Sequence, residues 1–537
     1  MRLDNIYKIT AVCAVAFSAM GCSDTWDEHY GEENRIVSNQ SLLQLVEADG
    51  RLGDFLKVLK STHVFSNNKP TSVTYADLLA SDQTFTVWAP LDGTFNVDSL
   101  LQECQTVSGD SMCSQHFIQN HIAHYRFSTE NASQQRIQML NSKWLDWNSG
   151  KLGPVSTQGN GVETPAQNGI LHLLSREVPY SYNIYEGVTS LPEFSGIGSF
   201  FKGYEKQELD ENASIQCGIE DGMKIYSDSV MRRYNILFYQ FERIQDEDST
   251  YIMLLPDAAL WNQVSAEAKS YFNYGNVQKA DSLQNYWAHV SLIRDLVYNR
   301  NVGCRSMKDS VWSTSYSPYD KERRHLYYEP LKSGGIFSST YVKDSIDCSN
   351  GKIYRLHSWP FTAEQIYFYP VKVEAENTTQ ILDYKDCTYS FREAAADSIS
   401  EGYLDILQKT SSSNWTVDFR APNVLSGTYD ICAVILPKTV ANPNSRDFKP
   451  NKFKAALTYE TVDGEKKTEV FDTELKNDPH KVDTVVIGRF NIPVTSYAQT
   501  EAKVSLQIQC SIGRRETNYS REMLLDCLYF KPVRKEE

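Results

Sequence analysis

The stretch Phe85-Thr86-Val87-Trp88-Ala89-Pro90-Leu91-Asp92-Gly93-Thr94-Phe95 constrains this chain more than any other. It reads as a buried strand, Phe85 to Trp88, stopped by Ala89-Pro90 and turning into a helical start that Asp92 can cap. Proline cannot donate to a sheet ladder, and an aspartate at a helix start accepts the orphan backbone N–H groups. A fainter copy runs from Tyr251 to Trp261, with the same apolar strand, a proline at Pro256, an acidic residue at Asp257 and a closing aromatic. One such stretch is an ordinary strand-to-helix junction. Two predict a duplicated α+β domain.

A chain of 537 residues is too long for one core, so about three domains are expected. The formal net charge of -15 argues against nucleic acid as a partner, because a phosphate backbone needs clustered Lys and Arg. At the amino terminus Arg2 and Lys8 precede an apolar run, Ile9 to Met20, too short to span a bilayer. Ala19-Met20-Gly21-Cys22 then resembles the lipobox of a bacterial lipoprotein. That resemblance implies a signal peptide over 1–21, acylation of Cys22 and attachment to the membrane through a lipid anchor; the alternative is an ordinary secretory signal cleaved nearby. Residues 22–39 form an acidic linker whose start, Ser23-Asp24-Thr25-Trp26-Asp27-Glu28, resembles the surface-export signal of Bacteroidetes outer-membrane lipoproteins. The expectation is therefore an outer-membrane lipoprotein exposed at the cell surface. A plain acidic spacer is the other reading.

Between Ser41 and Leu59 apolar residues recur at helical spacing with a break at Asp49-Gly50, which predicts two short helices. A further helix is predicted over Ser114 to Tyr125, and Asn168-Gly169 makes a tight turn into a buried strand ending at Leu174. Phe85 to Phe95, the histidine-containing His121 to Phe127, and the Asn-Gly-x-x-His run at Asn168 to His172 resemble, in this order, the conserved boxes of fasciclin-type domains. The resemblance implies a compact α+β unit over residues 40–182. A divergent second unit over 183–362 places its opening helices near Leu191 to Phe201, its first box at Tyr251 to Trp261, its central helix at Tyr286 to Tyr298 and its closing turn at Asn350-Gly351. Tyr354 stands there in place of the histidine.

From Ile366 the texture changes to short alternating strands, which predicts an antiparallel β-sandwich over 366–537. Val373-Glu374-Ala375-Glu376, Trp415 to Pro422 and Leu525 to Pro532 resemble galactose-binding-like sandwiches, including many carbohydrate-binding modules. The fold class read from the sequence is thus multidomain: two α+β fasciclin-like domains followed by an antiparallel β-sandwich.

Few residues carry a chemical signature. Gly109-Asp110-Ser111-Met112 has the composition of one esterase nucleophile block but lacks a preceding buried strand to aim the hydroxyl, and a solvated turn is the alternative. No Gly-x-Ser-x-Gly elbow, His-Glu-x-x-His pair or phosphate-cradling glycine loop is present. His116, His121 and His124 on one predicted helix form a possible metal cluster, with ordinary buried imidazoles as the alternative. His172 reads as a hydrogen-bonded structural residue. Glu374, Glu376 and Asp526 match acidic positions that in related modules hold a structural calcium, an ion that prefers oxygen ligands; solvated strand-end charges are the alternative. Trp144 and Trp147, near the turn at Gly150, are candidate ligand-binding residues, since an aromatic face matches the C–H face of a sugar. Of the eleven cysteines, Cys13 leaves with the signal and Cys22 carries lipid, which leaves nine. Cys104 and Cys113, bracketing a short polar loop, are the pair best placed to bond.

These features predict a non-catalytic surface lipoprotein for adhesion, binding a glycan or another surface protein, with no catalytic residues and no cofactor beyond that calcium. An accessory glycan-binding subunit of an outer-membrane polysaccharide-capture system is the alternative within binding. A carbohydrate-active enzyme with an unrecognised site is the alternative outside it.

Overall fold

The computed structural model describes residues 38–66, 69–129, 135–148, 150–158, 163–212, 214–220, 222–228, 231–300, 307–316, 324–393, 402–501 and 503–534. The segment read as a signal peptide, Cys22 and nearly all of the segment read as an acidic linker lie outside the described residues. The chain divides into two compact units, one ending at Tyr180 and the other beginning at Ser181.

The first unit opens with α1 (Leu42–Ala48) and α2 (Gly53–Ser61), the two short helices the apolar spacing predicted. Ser41 and Gln44 form a reciprocal capping box on α1. A hairpin of β1 (His63–Ser66) and β2 (Lys69–Thr74) leads to α3 (Tyr75–Ala80) and then to β3 (Phe85–Pro90), every residue of which is buried. After α4 (Val97–Glu103) and α5 (Val107–Met112) the chain turns irregularly into β4 (Ile122–His124). A small meander follows: β5 (Gln135–Gln138), β6 (Trp144–Asn148), β7 (Lys151–Leu152) and β8 (Val155–Ser156). Then β9 (Glu163–Ala166) and β10 (Gly169–Leu174) complete the main sheet, ordered β4-β3-β10-β9 with β3 and β10 parallel.

Asp92 caps a different helix from the one the sequence suggested. Its carboxylate accepts the N–H groups of Gly53 (2.9 Å) and Asp54 (2.8 Å), the first turn of α2, while Asn96 caps α4 through the N–H of Ser99. The junction after β3 is thereby pinned to the opening helices.

In the second unit α6 (Ile184–Ser190) and α7 (Ser195–Gly203) precede four strands in two paired ribbons: β11 (Glu205–Leu209), β12 (Ile215–Glu220), β13 (Met223–Asp228) and β14 (Met231–Asn235). Then come β15 (Tyr251–Pro256), α8 (Ala258–Tyr271), α9 (Ala280–Ile293) and β16 (Val297–Asn299). The hairpin β17 (Ser310–Tyr316) and β18 (Arg324–Tyr328), then β19 (Val342–Cys348) and β20 (Gly351–Leu356), close the repeat. Its sheet is ordered β16-β15-β20-β19, the order found in the first unit, with β15 and β20 parallel.

The duplication reaches single atoms. Asn168 Oδ1 accepts the first N–H of α1, from Leu42, at 2.8 Å, and its amide donates to the carbonyls of Leu79 (2.9 Å) and Ser81 (2.6 Å). Asn350 Oδ1 accepts the first N–H of α6, from Ile184, at 2.9 Å, and its amide donates to Ile244 (2.9 Å) and Asp246 (3.1 Å). Each asparagine ties the opening helix, the approach to the first strand and the start of the closing strand. The following glycine is required by close approach. A Cβ on Gly169 or Gly351 would lie 1.9 Å from the carbonyl oxygen of Phe85 or Tyr251, and Gly351 has φ +151°.

The remaining residues form the predicted antiparallel sandwich. After α10 (Ala363–Ile366) come β21 (Val371–Glu374), β22 (Ile381–Lys385), β23 (Cys387–Glu393), β24 (Gly402–Gln408), β25 (Thr416–Arg420), β26 (Gly427–Leu436), β27 (Lys452–Glu460), β28 (Lys466–Lys476), β29 (Asp483–Ile492), β30 (Val504–Cys510) and β31 (Met523–Pro532). One sheet is ordered β23-β24-β31-β26-β29 with β21 also on β31; the other is β22-β25-β30-β27-β28. Its core is continuous with that of the second repeat. Tyr271, at the end of α8, meets Phe368 at 4.5 Å between ring centroids, and Phe368 meets Tyr429 of β26 at 5.0 Å. Beside them the N–H of Ser426 donates to the Tyr271 carbonyl and that of Thr495 to the Asn273 carbonyl. Among the described residues no helix is long and apolar enough to cross a membrane.

Candidate functional site

The residues singled out from the sequence mostly serve the scaffold. Trp147 is fully buried, stacked at an edge on Trp88 (5.3 Å) and tilted against His172 (4.8 Å), whereas Trp144 is half-buried beneath the Arg136 guanidinium. The two do not form one sugar platform. They lie three apart in β6, and side chains alternate across a strand, so an odd spacing sends them to opposite faces.

The three histidines do not converge either, because the predicted helix ends at His121 and His124 belongs to β4. His121 is wholly buried, with Nδ1 2.7 Å from the Phe117 carbonyl and Nε2 accepting the Val178 N–H at 2.9 Å. Burial pulls its pKa down to about 4, against the opposing pull of the Phe117 carbonyl. A nitrogen that accepts a backbone N–H carries no proton, so the hydrogen bond and the burial both hold the ring neutral. His116 stacks on Tyr180 and His124 on Phe85. His172 Nε2 lies 2.9 Å from the Phe127 carbonyl and its ring stacks on Trp88. The block around Ser111 lies within α5, where Asp110 is buried and engages the N–H and Nδ1 of His63.

Glu374 and Asp526 are bridged by a resident cation. The Lys372 ammonium lies 2.9 Å from Glu374 Oε1 and 3.8 Å from Asp526 Oδ2. Glu376 is held up to about 7 chiefly by burial, with the charges of Glu374 and Asp526 adding to it. Among the described residues no group of three or more His, Cys, Asp or Glu is arranged to hold a metal ion.

A buried acidic side chain that the sequence did not single out lies after α9. Asp295 is fully buried; its Oδ1 is 2.7 Å from His325 Nδ1 and accepts the Tyr327 hydroxyl at 2.8 Å. His325 Nε2 in turn is 2.7 Å from the Tyr369 hydroxyl. This chain of hydrogen bonds pins the β17–β18 hairpin between α9 and the strand that begins the sandwich.

The surface with the chemistry of a binding site is the edge of the sandwich where β22 and β23 face each other from different sheets. Residues directly opposite across a ladder share a face. Tyr384 pairs with Val417, Tyr389 with Ile406 and Phe391 with Leu404, and all three partners are fully buried in the core. The three aromatics therefore point toward the gap between the sheets, where it opens at the edge. Tyr384 and Phe391 remain 49% exposed, enough to offer a ring face, and Tyr384 meets Tyr389 edge-on at 5.0 Å. Gly402 lets the Phe391 ring lie against the backbone: a Cβ there would come within 2.4 Å of it. Gln408, on the same face of β24, has a buried amide oxygen with no hydrogen-bond partner among the described residues. The period-two aromatics in Cys387-Thr388-Tyr389-Ser390-Phe391 were the available signal. That this strand lies at an open edge follows only from sheet order.

No family model matches the chain, and no curated protein matches it. Solved structures overlap it in part. A family 35 carbohydrate-binding module from Clostridium thermocellum is 9% identical, with 31% of this chain and 99% of that one covered at a TM-score of 0.20. A xylan-binding domain of family CBM 22 is 10% identical, covering 31% and 94% at 0.20. The GH26-CBM35 β-(1,4)-mannanase of Podospora anserina is 13% identical, covering 32% and 29% at 0.20. The chain spans less than a third of the length of that mannanase and of a Clostridium thermocellum xylanase. Overlaps of this size carry no weight for function; the sandwich stands on its own strand pairing.

Proposed function

We propose that this protein is a non-catalytic, lipid-anchored protein of the outer-membrane surface that binds glycan through the aromatic edge of its sandwich. The observation that carries the reading is the trio Tyr384, Tyr389 and Phe391 at the open edge. Flat apolar ring faces suit the C–H faces of a sugar chain. The lipobox at Cys22 and the acidic run after it support the anchor and the surface location. The ordered boxes support assigning both α+β repeats to the fasciclin type. A role as the accessory glycan-binding subunit of a polysaccharide-capture system follows from the same edge.

The test is a glycan array and calorimetric titration with the mature chain and with Tyr384→Ala and Phe391→Ala. Each substitution removes one stacked ring, worth about 1 kcal/mol or more beyond its buried area, so affinity falls roughly tenfold while the melting temperature holds. Binding to no glycan, or undiminished binding by both variants, sinks the proposal. Release of shortened products from any polysaccharide would replace it with the enzyme reading.

A further inference from the structure

The two cysteines paired on sequence grounds lie side by side as thiols in the first unit. Cys104 ends α4 and is half-buried; Cys113 follows α5 and is only 2% exposed. Between them stands the buried Thr62, whose hydroxyl lies 3.4 Å from the Cys104 sulfur and 3.3 Å from the Cys113 sulfur. One thiol can be reached from outside and the other cannot, and a single hydroxyl holds both in place.

We propose that Cys104 and Cys113 form a thiol–disulfide exchange site, in which Cys104 receives an external disulfide and Cys113 closes the bond. The electrostatics fit that order. The Cys113 thiol donates to the Cys104 sulfur, which brings Cys104 down to about 7 against the opposing effect of burial, with Thr62 as a second donor. The same contact, with burial, pushes Cys113 upward. A thiolate, not a thiol, is the nucleophile, and it attacks best when its pKa is near ambient pH. The Cys104 thiolate attacks one sulfur of a small-molecule disulfide, forming a mixed disulfide and expelling the other half as a thiolate. Cys113 then gives its proton to that thiolate or to water. Its sulfur attacks the Cys104 sulfur and expels the remaining half. Two electrons pass from the protein to the external disulfide, which leaves as two thiols. The new bond ties the end of α4 to the end of α5, beside a cleft of about 180 Å³ lined by Cys113, His116, Glu177 and Tyr180.

Oxidised glutathione is the probe. The full chain is incubated with it, alkylated under denaturing conditions without reductant, digested and weighed. The expected product is one linked peptide pair joining Cys104 to Cys113 and lacking two hydrogens, with the buried Cys387, Cys432, Cys510 and Cys527 alkylated. In Cys113→Ala, which lacks both the resolving sulfur and the donor, glutathione stays on Cys104, and the pH midpoint of Cys104 alkylation rises from about 7 toward the ordinary thiol value of about 8.5. Alkylation of both cysteines after oxidation, or a midpoint in Cys113→Ala equal to that of the parent, overturns the proposal.

Discussion

The twin asparagines give the most direct test of the fold. Asn168→Ala deletes three hydrogen bonds at once and leaves the buried Leu42 N–H with no acceptor, while the carbonyls of Leu79 and Ser81 lose a donor. Each net hydrogen bond is worth about 1 kcal/mol, and a stranded buried donor costs about 1–3 kcal/mol, so the loss is about 3–5 kcal/mol. Because the chain has two compact units, a single unfolding free energy is not defined for it. The assay is therefore urea-dependent amide exchange read at Leu42, Phe85 and Val87, with the second unit as an internal reference. Asn168→Asp sharpens it. The ionised carboxylate keeps the acceptor for Leu42 but turns its other oxygen toward two carbonyls, so this carboxyl has a raised folded-state pKa. Stability of that variant is best below the unfolded aspartate value of about 3.9 and is lost as pH rises through the raised one. Asn350→Ala should weaken the second repeat by a similar amount. A loss below about 1 kcal/mol at Asn168, where one net hydrogen bond alone is worth as much, or protection lost evenly across both units, would refute the reasoning.

Other expectations concern charge and close packing. His121 has a depressed folded-state pKa of about 4, so its contribution is present above the unfolded histidine value of about 6.5 and is lost as pH falls through the folded one. Melting of the first unit should fall steeply over that window, and His121→Gln should flatten the fall. Gly351→Ala forces a Cβ onto the Tyr251 carbonyl and should lower stability of the second repeat by several kcal/mol or prevent folding, as measured by soluble yield and thermal melting. Asp295→Ala leaves His325 and Tyr327 facing an empty acceptor site, with an expected loss of about 3 kcal/mol in urea titration. Because Lys372 already sits with Glu374 and Asp526, chelation of calcium should leave the melting temperature unchanged, and a drop on adding chelator would count against that ammonium as their counter-charge.

The repeated strand–proline–acid boxes were legible because buried parallel strands read as unbroken apolar runs, and both runs became central strands of matching sheets. The identity of the helix capped by Asp92 was not legible, since that contact joins residues 38 and 39 positions apart. Within the sandwich the segment Trp415 to Pro422 was legible because Thr416–Arg420 alternates buried and half-buried positions. Less legible are Lys452–Glu460 and Lys466–Lys476, where lysines and glutamates interrupt the apolar pattern, and Lys466–Lys476 is an edge strand, where charge discourages further pairing. Trp144 and Trp147 misled because the nearby turn at Gly150 suggested a surface, although a spacing of three within a strand already separated their faces. The aromatic edge was hidden for the opposite reason. Tyr389 and Phe391 alternate as core residues do, and only the order of the sheets shows that, among the described residues, their side of the sandwich has no further strand to cover it.

The seam between α8 and the sandwich has a mechanical consequence. A ligand pulling on Tyr389 or Phe391 loads β23, and the force passes laterally through β24 and β31 to β26, whose Tyr429 is wedged against Phe368 and thence Tyr271. Such a path has no slack joint, since the Ser426 and Thr495 amides fasten the same helix end to the sandwich backbone. Strain along the strands is shared among many ladder bonds in parallel, whereas strain across β23 is borne first by its hairpin with β24. Under the proposed glycan reading, grip under flow would therefore depend on the direction of pull, and rupture under crosswise load would begin at that hairpin, leaving the paired repeat intact behind it.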